Sequence, residues 1–543
     1  MKELLILLSL ISTLKTNIPS KTELTVDVTE MSITEIQESI DEGYLTYEEL
    51  MQIYLDRIDK YNSKYNAVLY INPNALEEAK EKDKEYKKNG RKSDLYGMPI
   101  LVKDNIDVKG MPTTAGAKGL KDNYPKENAP AIQNLIDRGA IIIGKANMSE
   151  FALSAYNSYS SFGNVKNAYN LNYSSYGSSG GTAVGVAANF AVAGLGTDTG
   201  GSVRLPSAAN DLVGLRPTWG SISSDGVIKY DKTRDTIGPI TRYVEDNAIL
   251  LDALTGKDNY KKEVKTKKNL KGVRVGVATQ FMSNTDSSIY KLMQKAISNF
   301  KDLGAEIVYI SDFYNGYYSF NDKSFCYDFN EYLKGTKGSI RSWQQLKSGI
   351  DYVNNMSWVD KSWCDTDYTK STAYLNTLTA RNSFTEYVKN KFTKYDVDIV
   401  IYPTIRNRLL TVSSSRSSSA KTYAYTITAT GFPSMNLQIG KVNGLSYGME
   451  IVTTANNEKV LYPIAYLYEQ KTNYYNNPSI SKNLYSVSKE LTKLKEKIKT
   501  SKEEKLNKLT NSYLKKYSSN TKSNLEESIL LSLYELKEKN AGK

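Results

Sequence analysis

The chain has 543 residues, 40% of them hydrophobic, and can bury a large core in one oversized domain or about three ordinary ones. It contains no histidine and only two cysteines, which excludes a Ser-His-Asp triad, a histidine-ligated zinc site and an all-cysteine metal site. Residues 481–543 hold 15 Lys and 8 Glu and supply +7 of the net charge of +12, so the nearly balanced remainder gives little reason to expect a nucleic-acid partner.

The first residues, MKELLILLSLISTLK, place a lysine before an apolar run over residues 4–14. That run is too short to span a bilayer but has the length of a secretory h-region. We therefore expect residues 1–20 to be a signal peptide, the protein to be secreted, and no stable membrane span. Glu3 and the lack of a clear cleavage site leave open a buried N-terminal helix instead. In an exported protein Cys326 and Cys364 can form a disulfide, although the sequence does not show that they meet.

Helices alternate with buried strands along the chain. Residues 46–61 form a predicted helix with a capping box of Thr46 and Glu49. The further predicted elements are a helix over 131–138 and a strand over 141–143 around Gly139, a strand over 273–278, a helix and a strand within 287–310 around Gly304, and a strand over 397–402. Strands that alternate with helices predict an α/β fold with a largely parallel or mixed central sheet covered by helices.

Residues 313–368 depart from this alternation and are rich in aromatic residues, among them Trp343, Trp358 and Trp363. Such aromatic density is typical of a substrate cleft and equally typical of helices that pack together, so both interpretations stay open. The C-terminal residues 480–543 are rich in Lys and Glu. Their apolar residues follow a 3-4-3-4 spacing: Leu484, Val487, Leu491, Leu494 and Ile498. This spacing predicts an additional helical tail, packed on the body or on a partner.

Two glycine-serine clusters flank an apolar, Ala/Gly-rich run. YGSSGG begins at Tyr176 and LGTDTGGSVRLP begins at Leu195. Because the run between them is apolar, we expect a buried segment rather than a solvated linker. Glycines let the backbone turn tightly and direct consecutive N–H groups to one point, as an oxyanion site requires. Without histidine, a nucleophilic Ser202 needs Lys, Asp, Glu or Tyr as its base.

In these clusters the chain resembles the amidase signature family of serine hydrolases. The family pattern is GGSSGG, a Gly/Ala-rich stretch and GTDxGGSxRxP, and the two clusters match it in order. YGMPILVKDNIDVKGMPTT from Tyr96 and GKANMSEFA from Gly144 resemble upstream family segments, and GFPSMNLQIG from Gly431 resembles a closing one. The resemblance implies an amidase domain over residues 29–475 with the amidase-signature α/β fold.

The resemblance also implies three catalytic residues. Ser202 matches the family's nucleophile, Ser178 its bridging serine in a cis peptide, and Lys103 its base. Neutral Lys103 would accept a proton from Ser178, which would accept one from Ser202 as that oxygen attacks an amide carbonyl. A neutral amine requires a lowered pKa, which burial supplies by disfavouring the charged form.

Other residues of the motif have supporting roles in the family. The oxyanion would be bound by consecutive backbone N–H groups: Thr199, Gly200, Gly201 and Ser202. Three side chains would support the relay and the loop: Ser179, Asp198 and Arg204. The sequence departs from the pattern at Tyr176, where glycine is usual, and at Thr182, where serine is common. Tyr176 would narrow the cleft beside the bridging serine. No metal or other cofactor is expected.

The implied function is hydrolysis of an amide carbon–nitrogen bond to a carboxylic acid and ammonia or an amine, through an acyl-enzyme on Ser202. The family acts on fatty acyl, aryl, peptide C-terminal and small diamide substrates, so a small-molecule or peptide amide is expected. It also includes the subunit that supplies ammonia for glutaminyl-tRNA synthesis, an alternative that needs a cytosolic partner and that export would exclude. A catalytically silent binding protein that uses the aromatic segment is a further alternative, against which intact Lys103, Ser178 and Ser202 argue.

Overall fold

The fold is taken from a computed structural model of the chain, which describes residues 28–314, 316, 323–349, 359 and 361–472. The described residues divide into two compact units, one of residues 28–31 and 35–46 and one of residues 32–34 and the described part of 47–472. The predicted signal peptide (residues 1–20) and the predicted helical tail (residues 480–543) lie outside the described residues and stay predictions. Within the described ranges, no helix combines the length and the apolar character needed to cross a membrane.

The helices and strands alternate, as the sequence predicts. In chain order they are α1 (Ile33–Asp41), α2 (Tyr47–Tyr65), β1 (Val68–Ile71), α3 (Ala75–Asn89), β2 (Pro99–Lys103), β3 (Tyr124–Pro125), α4 (Pro130–Asp137), β4 (Ile141–Ala146), β5 (Tyr159–Ser160), β6 (Gly163–Asn164), α5 (Gly180–Ala187), β7 (Ala193–Asp198), α6 (Arg204–Ala209), β8 (Val213–Arg216), β9 (Thr236–Thr241), α7 (Val244–Thr255), α8 (Tyr260–Val264), β10 (Arg274–Ala278), α9 (Thr279–Met282), α10 (Ser287–Asp302), β11 (Glu306–Ile310), α11 (Phe325–Lys334), β12 (Thr336–Lys337), α12 (Trp343–Lys347), α13 (Thr372–Tyr395), β13 (Ile399–Pro403), α14 (Ala424–Thr430), β14 (Ser434–Val442), β15 (Leu445–Val452) and α15 (Glu458–Thr472). Short 3-10 helices lie at Lys118–Leu120, Glu150–Ala152, Lys361–Cys364, Tyr368–Lys370 and Ser414–Arg416.

A mixed sheet forms the centre of the larger unit. Among the described residues it has eleven strands in the order β1-β4-β2-β7-β9-β8-β14-β15-β13-β10-β11. Strands β4, β2 and β7 are parallel neighbours, as are β13, β10 and β11. The other neighbouring pairs are antiparallel. The mixed sheet of the predicted α/β fold is therefore confirmed.

The predicted elements agree with the structure except at their ends. The helix predicted over residues 46–61 is α2, which runs on to Tyr65. Its first N–H groups, those of Tyr47 and Glu48, donate to the carboxylate of Asp83 at 2.9 Å each, so a side chain of α3 caps it. The predicted elements around Gly139 and Gly304 correspond to α4 and β4, and to α10 and β11.

The described part of the aromatic segment packs as a hydrophobic cluster. Trp343 is buried, and its ring lies edge-on to Phe151, Phe325 and Phe329 at centroid distances of 5.5, 5.2 and 5.8 Å. These contacts hold α11 and α12 against the residue 150–152 turn, so Trp343 follows the packing interpretation and not the cleft interpretation. Of the other two tryptophans of the segment, Trp358 lies outside the described residues. The ring centroid of Trp363 lies 5.2 Å from the Lys323 ammonium.

A disulfide joins Cys326 of α11 to Cys364 of the Lys361–Cys364 turn. Both cysteines are buried in the same cluster as Phe325 and Trp343. The sequence left this pairing open, and the structure supplies it. The bond ties the Lys361–Cys364 turn to the helix that carries Cys326.

Removing this disulfide is expected to destabilise the fold. The two cysteines are 38 residues apart, so a Cys326→Ala/Cys364→Ala variant should lose roughly 4 kcal/mol of unfolding free energy through the larger entropy of its unfolded chain. Urea unfolding of the variant and of wild type, each with and without reductant, measures the difference. Reductant should destabilise wild type alone. Equal stability of the variant and of oxidised wild type would contradict the prediction.

Candidate active site

The predicted base Lys103 is the last residue of β2, a fully buried central strand. Its side chain is inaccessible to solvent. The ammonium nitrogen Nζ lies 2.7 Å from Ser178 Oγ, 2.7 Å from Thr197 Oγ1 and 3.3 Å from the Thr197 carbonyl oxygen. The structure therefore brings together two of the three predicted catalytic residues, which are 75 positions apart in sequence.

Burial lowers the pKa of Lys103 from its ordinary 10.5 to about 7, because a buried ammonium loses its hydration. The carboxylates of Asp235 and Asp198 act in the opposite direction, since negative charge favours the protonated amine. Burial outweighs them. Near neutral pH a large fraction of Lys103 is consequently neutral and able to accept a proton.

The Gly177–Ser178 peptide bond is cis, as the family resemblance implied. The segment is held by the buried hydroxyl of Ser158, which donates to the Tyr176 carbonyl at 3.0 Å and accepts from the Gly180 N–H at 2.9 Å. Ser158 lies outside the recognised motifs, and no sequence signal marks it. Tyr176 is itself fully buried, and its hydroxyl accepts a long 3.4 Å hydrogen bond from the Leu410 N–H. Its ring is therefore part of the protein interior, and the narrowing of the cleft expected from the sequence stays a prediction.

Ser179 connects the Ser178 segment to β7 and to the segment that holds Ser202. Its hydroxyl donates to the Thr197 carbonyl at 3.2 Å and accepts from the Thr197 N–H at 3.3 Å. Its backbone N–H donates to the Ser202 carbonyl at 3.2 Å. Among the described residues, Ser202 Oγ makes no hydrogen bond to Ser178 Oγ. Catalytic hydrogen bonds are often longer before substrate binds than in the reacting complex.

The Ser202 loop, residues 199–203, follows β7 and is braced by the buried carboxylate of Asp198. One carboxylate oxygen accepts from the Gly201 N–H at 2.8 Å and the other from the Val203 N–H at 3.1 Å. These two bonds fix the residues on either side of Ser202. Burial raises the pKa of Asp198, but the guanidinium groups of Arg204 and Arg216 outweigh burial and hold it well below its usual range.

Arg204 links the Ser202 loop to strand β15 and helix α14. Its guanidinium donates to both Asp198 carboxylate oxygens, at 3.0 and 3.1 Å. The same group contacts the carboxylate of Glu450 and donates to Thr428 Oγ1 at 3.0 Å. Glu450 also accepts from the hydroxyl of Tyr402 at 2.8 Å. Such a buried network is destabilised by about 3–5 kcal/mol when one charged partner is removed, so it holds the loop in one arrangement.

The backbone of the Ser202 loop differs from the prediction at Gly201. Its N–H is already bonded to Asp198, so in this structure it braces the loop and is not available to an oxyanion. The N–H groups of Thr199, Gly200 and Ser202 make no hydrogen bond to any residue that the structure describes. Gly201 has φ +109°, a conformation that other residues adopt only with strain. The free donors of the predicted oxyanion site are therefore those of Thr199, Gly200 and Ser202.

The ring of Tyr425, on α14, covers the loop at Gly200. A Cβ atom at residue 200 would overlap with Tyr425 Cε1. Burial raises the pKa of the Tyr425 hydroxyl well above its usual range, and the neighbouring Tyr156 adds to this effect. Tyr425 lies between the quoted family motifs, so the sequence did not mark it.

Substituting Gly200 with alanine tests whether this ring fixes the loop. Because Gly200 lies outside the left-handed backbone region, Gly200→Ala adds only the clash with the ring. We expect amide turnover to fall by about ten- to a hundredfold, since a displacement of about 1 Å at a reacting group has such an effect. In a Tyr425→Ala background the clash is absent, so Gly200→Ala should then reduce turnover only slightly. The double variant should therefore be nearly as active as Tyr425→Ala alone. A fully active Gly200→Ala enzyme would show that the ring does not constrain the loop.

Comparison with known proteins finds matches over most of the chain. The family model described as Amidase matches residues 49–462. The A-type subunit of glutamyl-tRNA(Gln) amidotransferase from Clostridium botulinum (strain Okra / Type B1) is 32% identical over 483 residues, covering 83% of this chain and 99% of that protein. The crystal structure of PAM12A matches with a TM-score of 0.75 and 28% identity, over 84% of this chain and 99% of that one. The native peptide amidase from Stenotrophomonas maltophilia matches with a TM-score of 0.72 and 27% identity, over 82% and 98%.

Proposed function

The chain belongs to the amidase signature family, and from that premise we propose that it is an exported amidase that cleaves peptide or small-molecule amides without a partner protein. It is an amide-hydrolysing enzyme that produces a carboxylic acid and ammonia or an amine. Export, substrate class and independence from a partner are the parts that we propose. The observation that carries export is the disulfide between Cys326 and Cys364, because disulfides persist mainly in oxidising compartments.

We assign the steps of the reaction to the residues of the site. Neutral Lys103, 2.7 Å from Ser178 Oγ, accepts the Ser178 proton while Ser178 takes the proton of Ser202. Ser202 Oγ then forms a bond to the substrate carbonyl carbon, and the negative oxygen is bound by the free N–H groups of the Ser202 loop. The carbon–nitrogen bond breaks as the nitrogen receives the proton held by the relay. Water then hydrolyses the acyl-enzyme along the same proton path in reverse.

Peptide-like amides are the favoured substrates within this proposal. The similarity to a peptide amidase structure covers 98% of that chain and 82% of this one. The buried position of Ser202 and the covering ring of Tyr425 favour an uncharged amide that leaves its water shell on binding. The body of the chain carries little net charge, so nothing in its composition demands a charged substrate.

A substrate panel tests the proposal. Purified protein without residues 1–20 is assayed alone on a C-terminally amidated peptide, an aryl amide, a small diamide and free glutamine, with Ser202→Ala as the matched control. We expect turnover of at least one of the first three substrates, abolished in the control. Turnover of none of the first three substrates would overturn the proposal, whether or not glutamine is hydrolysed.

The second candidate function is that of a glutamyl-tRNA(Gln) amidotransferase component. It is favoured by the 32% identity to the A-type subunit from Clostridium botulinum, which extends over 99% of that protein. Mass spectrometry of the protein from its native cells separates the two candidates. Our proposal expects a polypeptide without residues 1–20 and with the Cys326–Cys364 bond intact outside the cytoplasm. An intact Met1 in a stable cytosolic complex with a tRNA-binding protein would favour the second candidate.

A further inference from the structure

Thr197, the penultimate residue of β7, contacts the base more closely than its place in the motif indicated. Both its hydroxyl and its carbonyl lie within hydrogen-bond distance of Lys103 Nζ, at 2.7 and 3.3 Å. The hydroxyl also accepts from the side-chain amide of Asn105 at 3.2 Å. The side chains of Lys103, Thr197 and Asn105 are all buried, so water does not compete for these bonds.

The hydrogen-bonding groups around Lys103 limit where the free electron pair of the neutral amine can point. A neutral amine has two N–H bonds and one lone pair, and a carbonyl oxygen can only accept. The Asn105 amide nitrogen also donates to the Ile228 carbonyl at 3.1 Å, which fixes its NH₂ group on the side of Thr197. The Thr197 hydroxyl oxygen thus accepts from Asn105 with one lone pair and has a second lone pair that can accept a hydrogen from Lys103.

We propose that Thr197 is a positioning residue that takes both N–H bonds of neutral Lys103, one on its hydroxyl and one on its carbonyl, and so directs the lone pair at Ser178. Asn105 completes the arrangement by fixing the Thr197 hydroxyl. This inference rests on the proposed relay of Lys103, Ser178 and Ser202. It adds a residue that acts through the base without touching the substrate.

Thr197→Val removes the hydroxyl and keeps the branched shape of the side chain and the backbone carbonyl. Turnover should fall because the amine is free to rotate its lone pair away from Ser178. The pKa of Lys103 should also fall, because the ammonium form loses one hydrogen-bond acceptor and is destabilised more than the neutral amine. The other charged groups that act on Lys103, Asp235 and Asp198, are unchanged in the variant. The acid limb of the pH profile should therefore move to lower pH while the plateau above it falls.

The experiment measures kcat and KM against pH for wild type, Thr197→Val, Thr197→Ala and the hydroxyl-retaining control Thr197→Ser. We expect kcat of the valine and alanine variants to fall by about tenfold or more with little change in KM, and the acid limb to shift down. Thr197→Ser should restore both quantities toward wild type. Near-ultraviolet circular dichroism shows which variants fold. If Thr197→Val does not fold, Thr197→Ala takes its place in the comparison.

Three results would overturn the inference. They are a wild-type kcat in the folded variant, a lowered kcat with an unmoved acid limb, and a serine variant as impaired as the valine variant. Failure of the relay itself gives a different result, because Lys103→Ala and Ser202→Ala would then remain active regardless of the behaviour of the Thr197 variants.

Discussion

Replacing Ser202 with alanine is expected to lower kcat for amide hydrolysis by about four orders of magnitude or more while the protein stays folded, because the nucleophile is removed. Ser202 is buried between residues held by Asp198, so alanine leaves the loop contacts in place. Steady-state assay of the best amide substrate measures the loss, and circular dichroism measures the fold. Ser223→Ala, at an exposed serine outside the site, is the matched control. More than about a tenth of wild-type turnover in Ser202→Ala would remove Ser202 from the proposed role.

The second large effect is expected at Lys103. In wild type, kcat/KM should be constant well above pH 7 and should fall about tenfold per pH unit well below it, since only the neutral amine, with its pKa of about 7, accepts a proton. The chain has no histidine to produce this limb. Lys103→Met, which keeps much of the side-chain volume, should remove most activity and leave any remainder without the limb.

A buried carboxyl group provides the control for that experiment. Burial raises the pKa of Asp107 to about 6, and its carboxylate accepts from the hydroxyl of Tyr332 at 2.6 Å. A titration of Asp107 would therefore produce an acid limb in a similar range. Asp107→Asn should keep the wild-type limb if the limb belongs to Lys103. If Lys103→Met keeps both turnover and limb, a carboxylate or a tyrosine activates Ser202 and the proposed relay is wrong.

The alternation of elements was readable from sequence because each signal is local. The helix over residues 287–302, the glycine at 304 and the strand that follows are marked by apolar periodicity and by a residue suited to left-handed backbone. The capping of α2 by Asp83 was not readable, since it depends on how α3 packs on it. The order of the eleven strands in the described sheet could not be predicted either, because neighbouring strands such as β8 and β14 are far apart in the chain.

In the site, the residues that belong to family motifs could be predicted, whereas contacts that depend on the tertiary fold could not. Family motifs identified Lys103 and Ser178, and the structure places their side chains 2.7 Å apart. The motif also contains Thr197, but its contact with Lys103 depends on the pairing of β2 with β7, which spacing along the chain does not show. The bond from the Gly201 N–H to Asp198 was missed for a related reason, because a turn decides whether a backbone donor faces outward or back onto its own loop.

The most direct test of the proposed mechanism is the pH dependence of labelling by a fluorophosphonate, with the modified residue identified by peptide mass spectrometry. In this reaction Ser202 Oγ forms a bond to phosphorus and fluoride leaves, so the labelling rate reports the activation of the serine itself without a contribution from product release. The proposed relay predicts one adduct, on the peptide that contains Ser202, with a labelling rate that falls below pH of about 7 and a Lys103→Met variant that labels slowly and without that pH dependence. An adduct on a different residue, or a Ser202 labelling rate that Lys103→Met leaves unchanged across the pH range, would contradict it.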